Sequence, residues 1–402
     1  MKRKIAVLTT SRADYSHLYW PLRELSVHPL VDLKLIVLGS HLSPEFGHTV
    51  GEIEKDGFPI AAKLECLLSS DSDVGMAKSI GVATLSLADC LGQMRPDILL
   101  LIADRYEMLA PASVALALRI PIAHIEGGEI SEGAIDDAVR HALTKMSHIH
   151  FTSTFEARRR IIAMDEEEWR VHRAGAPSLD HLRRATLHSR ETLESLMNLH
   201  LEKPSILVAY HPVTIARDTV QEAAPLFEAL ASLPDQILFC YPNADAGSRD
   251  LIARARSLAA SRANSHVFVN LDALTYWSLL RQADLFLGNS SSGIMETPAF
   301  ALPAINVGRR QQGRERAQNI LDAAPSVAAI LAAISTGRST AFRDSLRGMT
   351  NPYGDGCAAQ TIVRVLTSVP LGQELLMKRH AAVPAPPPAA SPPAAGPGER
   401  RR

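Results

Sequence analysis

The chain of 402 residues has few cysteines and no stretch dominated by one charge. Its four cysteines, Cys66, Cys90, Cys240 and Cys357, are far apart and show no metal-ligand spacing. We therefore expect free thiols in a reducing, cytoplasmic setting. The formal net charge is −1 and both signs are interspersed. No basic stripe with interleaved aromatic residues is present, which argues against nucleic acid as the main partner.

Long hydrophobic runs are also missing. The longest apolar stretch, residues 114–125, contains Arg119 and Pro121 and is too short to span a membrane. The basic start of the chain precedes only a short apolar run, residues 5–8, and Arg12 follows soon after. This pattern indicates a first β-strand rather than a signal peptide, so we expect no membrane partner.

Two glycine-rich motifs are absent. No Gly-x-Gly-x-x-Gly follows the first predicted strand, which counts against a nicotinamide or flavin cofactor. No Gly-x-x-x-x-Gly-Lys-Ser/Thr loop occurs, which counts against a nucleotide-triphosphate motor or kinase.

Short aliphatic runs alternate with stretches of helical period. Because these runs are continuous rather than alternating, they indicate strands buried on both faces of a parallel sheet. The first series comprises residues 5–10, 33–39, 97–102, 121–125, 149–152 and 171–174, and the second comprises 205–210, 236–241, 267–270, 284–287 and 303–307. The sequence thus predicts an α/β protein with two Rossmann-like, doubly wound domains facing each other across a cleft.

The polar helical segment 183–203 separates the two series. We expect a first domain over 1–182, a second, nucleotide-binding domain over 183–366, and a terminal helix over 367–380 that could cross back. Residues 381–402 are almost only Pro, Ala, Gly and terminal Arg, a composition typical of a disordered tail.

In the second domain, a serine-rich turn follows a predicted strand. Ser290, Ser291 and Ser292 come after Gly288, and a helix-like pattern runs from residue 293 to 300. A helix N-terminus with such hydroxyls suits a phosphate or pyrophosphate, and Glu296 could reach a ribose. The alternative is a serine cap on an ordinary helix.

Polar residues also follow other strands. His211 ends the first strand of the second domain and could protonate or bind a leaving phosphate, or simply lie in a Pro-stabilised turn. Arg12 follows the first strand of the chain and could contact a phosphate, or be a solvated loop arginine. The arginines of 308–316 could clamp phosphates or form a basic loop.

Three carboxylates are predicted at neighbouring strand ends in the first domain: Asp104, Glu126 and Asp136. Clustered carboxylates repel one another and their pKa values spread, which suits proton removal from carbon. A divalent metal on His124, Glu126 and Asp104 is the competing interpretation, but no dense ligand set such as His-x-x-x-His is present. Asp136 could also simply favour a helix N-terminus.

Taken in order, these motifs resemble the hydrolysing UDP-N-acetylglucosamine 2-epimerases of the bacterial sialic-acid type, over roughly residues 3–370. The resemblance rests on the segments 11–15, 104–105, 124–129, 135–137, 211–213, 243–247, 288–291 with Glu296, and 310–315. It implies the glycosyltransferase-B architecture and a nucleotide-sugar substrate. It also implies no dissociable cofactor, no metal, and a homo-oligomer, either dimer or tetramer.

The same resemblance implies a reaction and roles. A base removes the C2 proton of the sugar while UDP leaves C1, giving a 2-acetamidoglucal. Water then adds at C1 and a proton returns to C2, releasing N-acetylmannosamine. Matching motif positions make Asp104, Glu126, Asp136 and His211 catalytic. The residues implied to bind UDP and the sugar are Arg12, Arg105, Asn243, Ser290, Ser291, Glu296 and Arg314.

Two other functions are compatible with this pattern. One is a sister epimerase acting on a UDP- or GDP-linked 2,4-diacetamido-trideoxy sugar on the route to legionaminic acid. The other is a glycosyltransferase on the same scaffold. One departure from the family is Ala103, where members commonly carry glycine.

Overall fold

The computed structural model describes residues 2–44, 47–68, 73–130, 135–211, 223–241, 248–269 and 271–379. Within these residues, thirteen strands form two parallel sheets, with the orders β3-β2-β1-β4-β5-β6-β7 and β10-β9-β8-β11-β12-β13. The strands are β1 Arg3–Thr9, β2 Val31–Leu38, β3 Ile60–Leu64, β4 Ile98–Ile102, β5 Ile122–Ile125, β6 Ile149–Thr152, β7 Val171–Arg173, β8 Ser205–Ala209, β9 Gln236–Tyr241, β10 Ser265–Val269, β11 Leu285–Gly288, β12 Ala304–Val307 and β13 Ile320–Ala323. The predicted α/β class with two doubly wound halves is confirmed.

The sequence missed two strands, β3 and β13, and both lie at a sheet edge. Side chains of β3 alternate between intermediate and exposed, and β13 is buried only at its last residue. The central strands β4 and β9 are buried at every position. A continuous apolar run arises where both faces of a strand are covered, so the sparsely buried β3 and β13 lack one. The other two edge strands, β7 and β10, overlap predicted runs.

Helices lie between most successive strands of the two parallel sheets. Several begin at a hydroxyl or carboxylate cap, such as Ser11 for α1 and Asp272 for α11. The helices are α1 Arg12–Val27, α2 Val50–Lys55, α3 Asp73–Met94, α4 Leu109–Leu118, α5 Ile135–Met146, α6 Phe155–Ala163, α7 Ser178–Arg184, α8 Arg190–Met197, α9 Ala224–Ala231, α10 Ser248–Ala260, α11 Ala273–Gln282, α12 Ser292–Met295, α13 Val327–Arg338, α14 Thr340–Ser345, α15 Ala358–Ser368 and α16 Gln373–Leu376.

Helix α3 contains a segment, Val74–Met94, that is long and apolar enough to cross a membrane by length and composition alone. In the described chain it is the one helix that meets this test. It packs along α4, and Ala83, Leu87 and Leu91 enter the first core. This four-residue spacing is that of one helix face lying against a neighbouring layer.

The C-terminal part of the chain returns to the first domain. Helix α15 packs on α1, and Ile362 and Leu366 belong to the first hydrophobic core. The return therefore occurs before residue 358, whereas the sequence interpretation assigned residues up to 366 to the second domain. The expected terminal helix over 367–380 is the single turn α16 in the described residues.

Two buried or half-buried arginines hold this returning segment. Arg170 donates to the carbonyls of Glu374, Leu375 and Met377 at 3.0, 2.7 and 2.7 Å. Arg3 donates to the carbonyl oxygens of Leu366 and Val369. A helix that belongs to the first core thus follows the second sheet in sequence. The predicted tail, 381–402, lies outside the described residues.

Candidate active site

The carboxyl ends of the two sheets face each other across a cleft of about 820 Å³, which is within the usual range for a small-molecule site. Residues following β1, β2 and β4 form one wall, and the last residues of β9 with residues following β8, β10, β11 and β12 form the other. Six of the predicted site residues line it: Arg12, Arg105, His211, Ser290, Ser291 and Glu296. The predicted Asp104, Glu126, Asp136 and Arg314 are not among the lining residues.

The serine turn begins where β11 touches β8. A Cβ added to Gly288 would lie 2.0 Å from the carbonyl oxygen of Ala209, so only glycine allows this approach. The same carbonyl accepts from the backbone amides of Asn289 and Ser290, at 3.1 and 3.3 Å. The turn is therefore fixed by backbone contacts at the cleft.

The helix after this turn is shorter than expected. In place of a helix from 293 to 300, the chain forms the four-residue α12 and then a 3-10 turn over Thr297–Phe300. A single helical turn sums few peptide dipoles, so its positive end is weak. The groups that can bind a phosphate here are therefore hydroxyls and backbone amides rather than the helix macrodipole.

Glu296 lies at the end of α12 and is tied to the turn. The Ser292 hydroxyl donates to Glu296 Oε2 at 2.6 Å and accepts from the Tyr276 hydroxyl at 2.9 Å. Burial raises the pKa of Glu296, partly offset by Ser292 and His17. Ser292 thus orients Glu296, and Ser290 and Ser291 line the cleft beside it.

His211 is held by its backbone. Asn289 Oδ1 accepts from the His211 amide at 2.7 Å, and Asn289 Nδ2 donates to the His211 carbonyl at 2.9 Å. Burial, together with the nearby Arg310 guanidinium, lowers the pKa of His211 to about 4. The imidazole is therefore neutral at pH 7, and a bound diphosphate would raise its pKa again.

On the opposite side, Asp104 follows β4 and pairs with Arg140. Arg140 Nη2, from helix α5, donates to Asp104 Oδ2. Burial, with repulsion from Arg314 and Arg160, lowers the pKa of Arg140 to about 9. At neutral pH the guanidinium remains charged and compensates the carboxylate.

Glu126 follows β5 in a left-handed backbone conformation, with φ 63°. Non-glycine residues rarely adopt this region, and such strain is concentrated at functional sites. Its Oε1 lies 2.8 Å from Nδ1 of His17, and its side chain is only 12% exposed. Burial alone would raise the pKa of Glu126, but His17 and Arg314 together lower it below its usual value.

Asp136 lies in the first turn of α5 and is half-buried. Burial raises its pKa, against the attraction of Arg105. Arg105 itself donates to Glu107 Oε1 at 2.7 Å and also faces the buried Asp14. The three predicted carboxylates therefore face different cations: Arg140 beside Asp104, His17 beside Glu126 and Arg105 near Asp136.

The remaining predicted residues have diverse surroundings. Arg12 is exposed and lies 3.8 Å from Glu52 in the cleft. Arg314 Nη1 lies 3.6 Å from Met295 Sδ, and its charge acts on Glu126 and Glu129. Arg314 thus contacts α12 of the second domain while its charge acts on the first-domain carboxylates, and its predicted contact with the diphosphate stays a prediction. Asn243 lies outside the described residues.

The metal interpretation finds no support in the position of His124. Its Nε2 is bonded to the Ala103 carbonyl oxygen at 2.8 Å, and burial lowers its pKa to about 4. Across the described parts of the chain, no group of three His, Cys, Asp or Glu side chains is placed to hold a metal ion. His124 instead supports Ala103, whose φ is 58°, and this explains why glycine is common there.

The glycines after Glu126 serve packing rather than ligand approach. A Cβ on Gly128, at φ 78°, would lie 2.4 Å from the carbonyl oxygen of Ala157 in helix α6. The close neighbour of Gly128 is therefore the protein's own backbone.

Sequence reasoning missed His17, Arg140 and Glu129. Glu129 is buried, and its Oε1 has no hydrogen-bond partner among the described residues. Burial raises the pKa of Glu129 to about 7, against the attraction of Arg314. The helical period of α1 and α5 was visible in sequence, but not which turn of each helix faces the strand ends.

The chain is similar to known proteins over most of its length. The family model for UDP-N-acetylglucosamine 2-epimerase matches residues 23–367. The chain belongs to the UDP-N-acetylglucosamine 2-epimerase family. This is the family that the order of sequence motifs indicated.

Two curated relatives and one solved structure illustrate the similarity. A GDP/UDP-N,N'-diacetylbacillosamine 2-epimerase (hydrolyzing) of Campylobacter jejuni is 38% identical over 80% of this chain and 84% of its own length. A UDP-N,N'-diacetylbacillosamine 2-epimerase (hydrolyzing) of Legionella pneumophila is 35% identical over 95% of this chain and its full length.

The crystal structure of a Neisseria meningitidis UDP-GlcNAc 2-epimerase bound to UDP-GlcNAc has a TM-score of 0.71 to this chain. It is 18% identical and covers 90% of this chain and 99% of its own. At this identity the likeness shows the shared two-sheet fold.

Proposed function

We propose that this protein is a hydrolysing 2-epimerase acting on a nucleoside-diphosphate-linked 2,4-diacetamido-2,4,6-trideoxy sugar. The observation that carries the reaction class is the meeting of two unlike groups at one cleft. Hydroxyls and Arg310 line its second-domain wall, and compensated carboxylates lie at the neighbouring first-domain strand ends, where His17 pairs with Glu126 and faces Glu296 of the cleft lining. The sugar class rests on the Campylobacter and Legionella relatives, which are named for diacetylbacillosamine.

In the first step, a carboxylate of the first domain takes the C2 proton. The C2–H electron pair forms the C1=C2 double bond, and the C1–O bond breaks so that the diphosphate leaves with its electrons. In the second step, water adds its hydroxyl to C1 and C2 receives a proton on the opposite face. Positioned carboxylates in a partly water-excluded cleft suit both proton transfers.

The second domain would hold the nucleotide. Ser290, Ser291 and Arg310 can donate to the diphosphate, and neutral His211 can donate one further hydrogen bond. As negative charge grows on the departing diphosphate, the pKa of His211 would rise and favour its protonated form. The leaving group would thus be stabilised without a resident metal ion.

A second candidate is UDP-N-acetylglucosamine, with N-acetylmannosamine as the product for sialic acid synthesis. The description of the matching family favours it. The bonds broken and formed at C1 and C2 are the same for both sugars, because the sugars differ at C4 and C6. The chemistry of the carboxylates therefore does not discriminate between them.

A substrate panel tests this proposal. Purified protein would be incubated with UDP- and GDP-linked diacetylbacillosamine and with UDP-N-acetylglucosamine, and nucleotide release and the sugar product would be followed by NMR. We expect fastest release from a diacetamido substrate without an acceptor, and deuterium at C2 of the product in deuterated water. Faster turnover of UDP-N-acetylglucosamine would favour the second candidate. Release only after an acceptor is added would indicate a glycosyltransferase.

A further inference from the structure

His17 lies where no motif assigned a function. It is on helix α1, two residues after the buried Tyr15, and its side chain remains 30% exposed. Its Nδ1 lies 2.8 Å from Oε1 of Glu126, although the two residues are 109 positions apart in sequence. Because α1 and the end of β5 are separate elements, this contact exists only in the folded protein.

The charges that face His17 are mostly negative. They are Glu126 at the end of β5, Glu296 at the end of α12 in the second domain, and Asp14 on its own helix. Among the described residues, His181 of α7 is a basic neighbour, and burial lowers its own pKa. Burial favours neutral His17, but the carboxylates outweigh it and raise the pKa of His17 to about 9.

Glu126 needs such a partner. A carboxylate that is only 12% exposed would otherwise tend to take up a proton and lose its capacity as a base. Arg314 supplies some positive charge, but the hydrogen bond comes from His17. That bond also fixes the orientation of the carboxylate, which leaves Oε2 for the substrate.

We propose that His17 is a positioning residue whose imidazolium keeps Glu126 ionised and oriented to exchange a proton with C2 of the sugar. This inference rests on the proposed function. During elimination, the proton would pass from C2 to Glu126 Oε2, while the C2–H electron pair forms the C1=C2 bond and the diphosphate leaves C1. His17 keeps its own proton throughout. Its position facing Glu296 also places it at the junction of the two domains.

The first test does not depend on the substrate. The His17 ring would be titrated by NMR in the wild-type protein and in Glu126→Gln. We expect a pKa above 8 in the wild type and a fall of at least 1 unit in the variant, because a nearby carboxylate favours imidazolium. A wild-type value near the usual 6.5 of histidine would overturn the proposal. This result is independent of whether the substrate has been identified correctly.

The second test uses turnover. His17→Gln keeps a hydrogen-bond donor but removes the charge, and His17→Lys restores a cation. We expect kcat of His17→Gln to fall about 10- to 100-fold, with the acid limb of its pH profile moved up by about 1 to 2 units. His17→Lys should recover much of both effects, and KM should change little.

The matched control is His200→Gln. His200 lies 3.1 Å from Glu194 on the surface, is 76% exposed and is not among the residues that line the cleft. This change should leave kcat and its pH profile as in the wild type.

If His17→Gln loses activity but its pH profile is unchanged and His17→Lys restores nothing, His17 has only a structural role and the proposal is wrong. If the wild-type protein turns over no sugar in the panel while His17 still titrates above 8, the proposed function fails and the pairing of His17 with Glu126 stands.

Discussion

The two walls of the cleft carry charge differently. The first wall adjoins the strand ends of the first domain, where Asp104 and Glu126 are ion-paired with Arg140 and His17. On the second wall, the groups are mainly neutral: serine hydroxyls and an imidazole whose pKa is lowered to about 4. The first wall thus holds preformed charges, whereas the second offers neutral donors beside Arg310 to a ligand that brings its own charge.

This difference suggests that the two walls have different roles in the reaction. Preorganised charges suit a reaction in which protons move, because they need little rearrangement at the transition state. Neutral donors suit a leaving diphosphate, whose negative charge would be attracted to Arg310 and bonded by the hydroxyls. Substitutions on opposite walls should therefore produce opposite kinetic signatures.

The largest effect is expected from Asp104→Asn on the first wall. This change removes the carboxylate that pairs with Arg140 and should lower kcat by about 10³-fold or more. Affinity for UDP, measured by calorimetry, should remain close to the wild-type value because the second wall is intact. A large loss of UDP affinity would contradict the proposed division. Circular dichroism would check that Arg140, left with less compensation, does not unfold the protein.

Glu296→Ala tests the second wall. If Glu296 binds the ribose hydroxyls, its loss should weaken UDP binding about 10- to 100-fold, the range expected for a hydrogen bond to a charged group. The kcat at saturating substrate should change much less. Glu296→Gln is the matched control, since it keeps the shape and some hydrogen bonding. Unchanged UDP affinity in Glu296→Ala would remove this residue from the nucleotide site.

Glu129 allows a test of how the stability of the folded protein depends on pH. Its pKa in the folded protein is raised by burial to about 7, above the unfolded value near 4.5. Its contribution to stability is therefore fully present below about pH 4.5 and is lost as pH rises through about 7. We expect Glu129→Gln to match the wild-type melting temperature near pH 5 and to exceed it by several degrees at pH 8. A difference independent of pH would contradict this assignment.

The smallest effect is expected at Ala103. Its φ of 58° is strained for alanine, so Ala103→Gly should stabilise the protein by about 0.5 kcal/mol after the greater flexibility of glycine in the unfolded chain is counted. Ala301→Gly is a matched control, because Ala301 has φ 49° in the second domain. Both variants should melt about 1–2 °C higher. A fall in kcat in Ala103→Gly alone would show that alanine also positions the neighbouring Asp104.

Much of the fold could be predicted because buried parallel strands form continuous apolar runs. The runs over 149–152 and 236–241 coincide with β6 and β9. The edge strands β3 and β13, and the early return of the chain at α15, were not predictable in this way. Helix α15 belongs to the first core through packing on α1, and its sequence shows an apolar face but not the partner of that face.

For the site, the sequence alone determined which functional groups are present. It placed Asp104, Glu126, His211 and the serine turn at strand ends, because the carboxyl ends of parallel strands converge at one edge. Only the tertiary structure decided their charge states. His17 and Arg140 come from helices whose facing turns are set by packing. Since a pKa depends on burial and on neighbours a few ångströms away, the pairing of Glu126 with His17 appears only once α1 and β5 are brought together.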